Sequence, residues 1–249
     1  MRRPSARRRV LLPFSKRRTI PRMSSPLRSL YSLKMGSRSA SRTRWSNTCF
    51  AVWAAIRPKS FGVTSSSGPG IALKTEAIGL AINAELPLVV IDSQRGGPST
   101  GIPAKSEQSD LSFAVNGLSG DAPRLVLAPT SIADCLATTQ WAVELAEALQ
   151  APAIVLSDQF MGQSRAIIDR PADVAYLGRR LTAAANAADY QRYRDTESGI
   201  SPMAIPGTRG VVYTADGLEH SQAGIPSSRS RDHRLQLDKR ERKLALHDY

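Results

Sequence analysis

An arginine stands four residues after the end of an apolar run and is itself followed by two glycines, in the sequence DSQRGGPSTG at residues 92–101. A guanidinium binds a carboxylate through two parallel hydrogen bonds, and glycines let a ligand approach the backbone closely. Arg95 is therefore a candidate for binding the carboxylate of a substrate. The alternative is structural, with Arg95 paired to Asp92 or Glu107 so that it pins the loop.

A second candidate is the turn SSSGPG at residues 65–70. Backbone N–H groups at the start of a helix can bind an anion or the polar edge of a heterocycle. The same residues also serve simply to turn a strand into a helix, so the turn alone does not establish a site. It matches neither G-x-G-x-x-G nor the phosphate loop ending in G-K-[ST], which excludes the usual nucleotide-binding motifs.

Gly97, Ser99 and Gly101 form a literal G-x-S-x-G, the nucleophile-elbow pattern of α/β-hydrolases. An elbow serine lies on a strand-to-helix turn, whereas Ser99 stands well beyond the apolar run and Pro103 follows without helical periodicity. The candidate bases all lie in the polar C-terminal region; they are His220, His233 and His247. A serine hydrolase is an alternative that this context disfavours.

The elements that must position these loops alternate between strands and helices. Strands are predicted at Phe61–Thr64, Pro87–Ile91, Arg124–Ala128 and Pro152–Leu156. Helices are predicted at Ile71–Ala84, with Ser67 as N-cap and Pro69 in the first turn, and at Ile132–Gln150, with Ser131 and Asp134 forming a capping box. The runs PLVVI and PAIVL show no alternation, which is typical of strands covered on both faces. The pattern predicts a parallel α/β sheet with right-handed crossovers, whose ligands bind at the carboxyl ends of the strands.

Beyond the last strand the pattern is weaker. Ala172–Tyr193 is predicted as a surface helix, and the charged segment Arg229–Lys243 as a helix or a linker. Residues 198–208 and 217–228 are rich in Gly, Pro and Ser and are predicted as loops. We divide the chain into residues 1–60, an α/β core at 61–171 and an extension at 172–249.

Positive charge is concentrated at the N-terminus. The 249 residues contain 34 Lys and Arg against 21 Asp and Glu, a net charge of +13 that would suit a nucleic acid. Residues 1–60 hold 16 of the basic residues and no acid, which leaves 18 basic against 21 acidic residues elsewhere, a net of −3. The body of the protein is thus mildly acidic, and nucleic acid is not its expected partner.

The basic segment, residues 1–60, lacks sustained periodicity and is predicted to be disordered. Three explanations stay open: a nucleic-acid-binding arm, an organellar transit peptide, or translation of the wrong reading frame upstream of a genuine domain. A basic nucleic-acid-binding protein acting through this arm is the non-enzymatic alternative function.

Cysteine content and hydropathy exclude several classes. Cys49 and Cys135 are far apart, which supports neither a disulfide framework nor a zinc or iron–sulfur site, and we expect no metal ligands on this chain. A reducing, cytoplasmic setting is predicted. No apolar run approaches the roughly 20 residues that span a bilayer, so no membrane association is expected.

Several segments, taken in order and spacing, resemble the alpha subunit of 2-oxoacid:ferredoxin oxidoreductases, and the 2-oxoglutarate type most of all. The resemblance covers about Phe61 to Leu244, in a chain that we expect to be truncated at both ends. Its segments are TSSSGPGIALKTEAIGLAI, ELPLVVIDSQRGGPSTGIPAKSEQSDL, GDAPRLVLAPTS, LSDQ, GISPMAIPGT, GLEH and DKRERKL. The stretch QRGGPSTG is highly specific, whereas GPG is not.

The resemblance implies an incomplete three-layer pyrimidine-binding domain of a thiamine diphosphate enzyme. Such an enzyme decarboxylates a 2-oxoacid, passes electrons through an iron–sulfur cluster to ferredoxin and forms an acyl-CoA. By the family pattern Arg95 binds the substrate carboxylate, and Lys105 is a hypothetical contact for the second carboxylate of 2-oxoglutarate. The family pattern also implies a lining for the pyrimidine, formed by Thr64, Ser65, Ser66, Ser67, Gly68 and Gly70. Mg²⁺, the diphosphate site and the cluster are implied to lie on a beta subunit or partner domain.

The sequence also departs from the family pattern. A glutamate that hydrogen-bonds the pyrimidine ring nitrogen is expected about 20 to 25 residues before GPG, because that contact favours the tautomer that removes the C2 proton. The corresponding window, Arg42–Lys59, contains no acid, and Glu76 lies on the helix after the motif. We therefore expect this chain alone to be inactive.

Overall fold

The computed structural model describes residues 61–170 and 178–249, and within them four strands and six helices are found. The strands are β1 Gly62–Ser66, β2 Leu88–Gln94, β3 Leu125–Leu127 and β4 Pro152–Asp158. The helices are α1 Gly68–Ala72, α2 Thr75–Asn83, α3 Leu111–Asn116, α4 Asp134–Leu149, α5 Gln159–Gln163 and α6 Ser230–Ala245. The predictions for residues 1–60, and the boundary predicted at 171, lie outside the described residues.

The four strands form one sheet in the order β1–β2–β4–β3, and every pair is parallel. In the central register Val90 pairs with Thr64 on one side and with Ile154 on the other. Parallel neighbours require crossover connections, which the intervening helices provide. The predicted parallel α/β sheet is confirmed.

Apolar side chains from both faces of the sheet are buried under helices. On one face Leu88, Val90, Ile154 and Leu156 pack with residues of α1, α2 and α3. On the other face the alternate strand residues pack under α4; they include Val89, Ala153, Val155, Leu145 and Leu149. Because β2 and β4 are covered on both sides, their runs without alternation are explained, and the predicted three-layer arrangement is confirmed.

The first predicted helix, Ile71–Ala84, is wrong as one continuous element. The chain forms α1 and α2 with a break at Leu73, where the N–H of Lys74 bonds to the carbonyl of Ile71 rather than one residue further back. Ser67 occupies the predicted N-cap position, although its side chain makes no capping hydrogen bond. The tightened turn comes shortly after the two glycines of GPG. Glycines weaken helical continuity, which explains why the helix breaks here.

The second predicted helix is confirmed as α4, which begins two residues later than expected. Ser131 Oγ accepts the Asp134 N–H at 3.2 Å, and the Asp134 carboxylate accepts the Thr130 N–H at 2.9 Å. Half of the predicted capping box is therefore formed, and the Asp134 carboxylate binds the residue before Ser131 instead of Ser131 itself. The helix ends before Gln150, whose φ of 48° is left-handed.

The predicted surface helix at Ala172–Tyr193 is wrong for residues 178–193, and its first residues lie outside the described ranges. Asn186 and Asp189 have φ values of 55° and 50°, which a right-handed helix does not allow. Arg192 is buried, and its guanidinium donates to backbone carbonyls just before β2. Tertiary hydrogen bonds therefore replace the expected helical ones.

The charged segment predicted as a helix or a linker forms α6, which packs across the amino ends of β2 and β4. Lys243 Nζ donates to Glu85 Oε2 at 3.0 Å and to the carbonyl of Gln150 at 2.8 Å. The motif GISPMAIPGT lies at this same end, where Gln150 Nε2 donates to the Ser201 carbonyl at 3.0 Å. That motif stabilises the amino edge, opposite the edge where ligands are expected.

Candidate functional site

The predicted site residues lie at the carboxyl edge of the sheet. The GPG turn follows β1, the arginine loop follows β2, and Asp158 ends β4 and caps α5 by accepting the Met161 N–H at 2.7 Å. Adjacent parallel strands bring these ends together. The loops that carry the predicted site residues thus lie at one edge of the sheet.

The turn after β1 presents backbone and hydroxyl groups rather than bulky side chains. Thr64 is buried at 7% exposure and Ser65 is exposed, while Ser66 and Ser67 are half-buried. Ser66 Oγ occupies the space that a Cβ on Gly70 would need. The glycines thus leave room for neighbouring side chains to pack closely against the backbone of this turn.

Gly68 is held against a carboxylate that the sequence did not bring to notice. An ideal Cβ on Gly68 would lie 2.6 Å from the carboxyl carbon of Asp110, which is the residue before α3. The Asp110 N–H donates to Gln94 Oε1 at 3.0 Å. Asp110 therefore connects the GPG turn to the end of β2. The sequence feature that could have identified it is an acid placed just before an apolar helical run.

Gly68→Ala is expected to lower the free energy of unfolding by about 1–3 kcal/mol, because the added methyl overlaps the Asp110 carboxylate. Denaturant unfolding of the variant and of Gly68→Ala/Asp110→Ala measures this, and the double variant should recover part of the loss. Gly79→Ala is the matched control. Its Cβ would meet nothing within 4 Å in α2, so that variant should gain stability. Equal stability of Gly68→Ala and wild type would contradict the predicted overlap.

The arginine loop is a short hairpin that closes on itself. Gly96 donates to the Lys105 carbonyl at 2.9 Å and accepts the Ile102 N–H at 2.9 Å. Gly101 has a φ of 52°, and a Cβ there would collide with the carbonyl of Gly96. The hairpin therefore brings the backbone of Lys105 next to Gly96, the residue that follows Arg95.

Arg95 is half-buried, and its Nε atom is buried without a hydrogen-bond partner. Within the described ranges neither Asp92 nor Glu107 forms an ion pair with it; Glu107 Oε2 instead accepts the Gly97 N–H at 3.0 Å. The structural alternative for Arg95 is therefore not found. Lys105 has an exposed side chain on the same hairpin.

Carboxyl groups beside the site have raised pKa values. Burial, with the Asp110 carboxylate as a second cause, raises the pKa of Asp92 to about 7, and Asp92 Oδ1 has no hydrogen-bond partner. Burial and then Glu107 raise the pKa of Asp110. A fraction of Asp92 is thus protonated near neutral pH, which limits repulsion at this edge. Sequence reasoning missed both acids as site residues.

The hydrolase alternative gains no support from the geometry. Ser99 lies at the exposed tip of the hairpin with a φ of 58°, not on a strand-to-helix turn. His220 is buried against Tyr193, with ring centroids 3.7 Å apart, and its Nε2 bonds to the Asn83 carbonyl. In the described part of the chain, no hydrogen bond joins Ser99 to a histidine. The arm of the nucleic-acid alternative lies outside the described residues.

Residues 61–170 and 178–249 contain no group of three or more His, Cys, Asp or Glu side chains placed to hold a metal ion. Among the helices of these ranges, none is long and apolar enough to cross a membrane.

A family model and a solved structure both relate this chain to 2-oxoacid:ferredoxin oxidoreductases. The family model described as pyruvate flavodoxin/ferredoxin oxidoreductase, thiamine diphosphate-binding, matches residues 52–239. A solved structure is similar with a TM-score of 0.74 and 40% identity, covering 81% of this chain and 36% of that one. It is the 2-oxoglutarate:ferredoxin oxidoreductase from Magnetococcus marinus with 2-oxoglutarate, coenzyme A and succinyl-CoA bound.

Curated relatives agree with this likeness. The 2-oxoglutarate oxidoreductase subunit KorA of Mycobacterium tuberculosis is 43% identical over 79% of this chain and 30% of its own length. The 2-oxoacid:ferredoxin oxidoreductase subunit alpha of Saccharolobus solfataricus is 35% identical over 74% and 30%. The 2-oxoglutarate synthase subunit KorA of Methanothermobacter thermautotrophicus is 34% identical over 76% and 49%. The chain thus spans between 30% and 49% of the length of these relatives.

Proposed function

Since this chain belongs to the thiamine diphosphate-binding family of pyruvate flavodoxin/ferredoxin oxidoreductases, we propose that it acts as part of an alpha subunit in a 2-oxoacid:ferredoxin oxidoreductase. The proposed reaction is oxidative decarboxylation of a 2-oxoacid to an acyl-CoA with electrons passing to ferredoxin. The similar structure with 2-oxoglutarate bound, and relatives named for 2-oxoglutarate, support that substrate. We propose a cytoplasmic location, which the low cysteine content supports.

One observation carries this proposal: a half-buried arginine whose buried Nε has no partner lies at the same sheet edge as the GPG turn. A partly buried guanidinium without an acid partner favours an anionic ligand, because desolvation strengthens the charge-assisted hydrogen bonds. Arg95 is proposed to bind the carboxylate that the reaction removes. Lys105, across the hairpin base, is proposed to bind the distal carboxylate of 2-oxoglutarate.

The turn after β1 fits the aminopyrimidine edge of thiamine diphosphate in part. When bound, the cofactor supplies the nucleophilic carbon and the electron sink that decarboxylation needs. This chain would hold the ring with backbone and hydroxyl groups of Thr64, Ser65, Ser66, Ser67, Gly68 and Gly70. A carboxylate for the ring nitrogen is not among them, and residues 1–60 contain no acid.

A beta subunit is the proposed partner, and it would hold the diphosphate, Mg²⁺ and an iron–sulfur cluster. Large apolar side chains are exposed in the connections after β1, β2 and β4, which supports coverage of this edge. Leu73 is 79% exposed, Ile102 57% and Phe160 64%. Ferredoxin and coenzyme A would act on the assembled complex.

Co-expression with a beta subunit of this family tests the proposal. The complex is expected to reduce ferredoxin only when 2-oxoglutarate, coenzyme A and thiamine diphosphate are all present, and the chain alone is expected to be inactive. Lys105→Met should raise the KM for 2-oxoglutarate by about tenfold, as expected for loss of one charged contact, and leave that for pyruvate unchanged. A complex that retains its cofactor but shows no activity with any 2-oxoacid would contradict the proposal.

A further inference from the structure

The segment Lys105–Asp110, which we call the strap, touches three strand ends at once. Glu107 accepts the Gly97 N–H at 3.0 Å, and Gln108 Nε2 donates to Asp158 Oδ2 at 2.8 Å. Its last residue donates its N–H to the end of β2 and packs its carboxylate against Gly68. One short segment thus joins the loops that follow β1, β2 and β4.

The strap makes these contacts almost without burial. Residues 105–109 are all exposed, so the segment contributes no apolar side chain to either core. Its contacts are directional hydrogen bonds from polar side chains, which fix positions rather than fill volume. The geometry is that of a positioning element and not of a core element.

Glu107 makes the contact of greatest consequence for chemistry. It is an acid close in sequence to the arginine loop, yet its carboxylate binds the Gly97 backbone and leaves the guanidinium of Arg95 without that ion pair. A backbone N–H bound to a carboxylate is a charge-assisted hydrogen bond. Such a bond restrains the hairpin just beyond Arg95 and keeps its positive charge available for a ligand.

We propose that Glu107 is a positioning residue for Arg95. By holding the Gly97 N–H it fixes the hairpin base, so that the guanidinium keeps its place relative to the GPG turn, to which the strap is joined through Asp110. This inference rests on the proposed function, because it assumes that Arg95 binds the substrate carboxylate.

The test uses the complex assembled with its beta subunit, and measures the Kd of 2-oxoglutarate by calorimetry beside KM and kcat. Glu107→Ala is expected to raise Kd and KM by about tenfold with little change in kcat, as loss of one charge-assisted hydrogen bond predicts. Glu107→Gln keeps an acceptor oxygen and should remain within about threefold of wild type, since it loses only the charge assistance. Glu76→Ala, an exposed acid on α2, is the matched control and should leave all three constants unchanged.

Arg95→Ala, measured in parallel, separates the two proposals. If Arg95→Ala weakens 2-oxoglutarate binding while Glu107→Ala does not, the positioning role is overturned and the proposed function stands. If Arg95→Ala leaves binding unchanged, the assignment of the substrate carboxylate to Arg95 fails instead. Equal effects of the alanine and glutamine variants at 107 would also overturn the inference, because the lost property would then be charge rather than the backbone contact.

Discussion

Arg95→Ala in the assembled complex is expected to lower kcat/KM for the 2-oxoacid by about 100-fold, and Arg95→Lys by about tenfold. Removing a bidentate charged contact eliminates two charge-assisted hydrogen bonds, whereas lysine keeps the charge but not the planar fork. Steady-state reduction of ferredoxin at varied 2-oxoacid concentration measures both. The half-buried position of the guanidinium strengthens the expected effect, since water competes less there.

The control for this prediction is Arg209→Lys, which changes an exposed arginine outside the loops that follow β1, β2 and β4. That variant should match wild type in every constant. A lysine variant at 95 with full activity would show that the fork geometry is not used. An alanine variant whose KM is unchanged while kcat falls would indicate that Arg95 acts on the transition state without binding the ground state.

The sheet was predictable because its central strands are marked by apolar runs without alternation. Both observed strands nevertheless extend beyond those runs: β2 continues to Gln94 and β4 to Asp158. Their backbones remain paired in the ladder, as Asp92 with Leu156 shows, and the ladder does not depend on side-chain polarity. Polar residues predicted to lie in loops therefore belong to strands, which is why Asp92 was missed as a buried acid.

The loops of the candidate site could be predicted from the sequence, but the contacts between them could not. Loops after parallel strands meet at one edge, so the GPG turn and Arg95 could be brought together from sequence order alone. The contacts of the strap could not, because a hydrogen bond between Gln108 and Asp158 spans 50 positions and leaves no local pattern. The helix predicted over 172–193 is wrong for residues 178–193 for the same reason, since the hydrogen bonds of Arg192 to the backbone before β2 leave no local sequence pattern.

The charged segment that forms α6 shows most clearly that contacts between distant residues leave no local sequence pattern. Its lysines suggest a solvated surface, yet the side chains of Lys239 and Lys243 are 0% and 3% exposed, and both form ion pairs with the fully buried Glu85. Glu85 has a φ of 53° in the turn between α2 and β2. Nothing near Glu85 in the sequence identifies partners more than 150 positions away.

Glu85→Gln is expected to lower the free energy of unfolding by about 3–5 kcal/mol, because it leaves buried ammonium groups without their counter-ion. Denaturant unfolding of the full chain at pH 7 measures the loss. Glu76→Gln, an exposed acid on the preceding helix, is the control and should leave the midpoint unchanged. Adding Lys239→Met to Glu85→Gln should recover part of the loss, since one unpaired charge is then removed.

The pH dependence of stability gives a second test of the same cluster. Burial alone would raise the pKa of Glu85, but Lys243, Lys239 and Arg192 hold it well below its usual value. A depressed carboxyl pKa contributes stability above the unfolded pKa of 4.5, and that contribution is lost as the pH falls below it. Wild type should therefore lose stability on acidification below pH 4.5 more steeply than Glu85→Gln.

At the basic end the same cluster should again make stability rise with pH, this time through a lysine rather than a carboxyl group. Burial, opposed in part by Glu85, lowers the pKa of Lys239 from 10.5 to about 8. Between these values the unfolded chain binds more protons than the folded one, so this lysine makes stability rise with pH from about 8 to 10.5. Unfolding of wild type and Lys239→Met across that window isolates the term, because methionine does not titrate. Parallel curves for the two proteins would show that Lys239 keeps its ordinary pKa and would contradict the prediction that burial outweighs the Glu85 carboxylate.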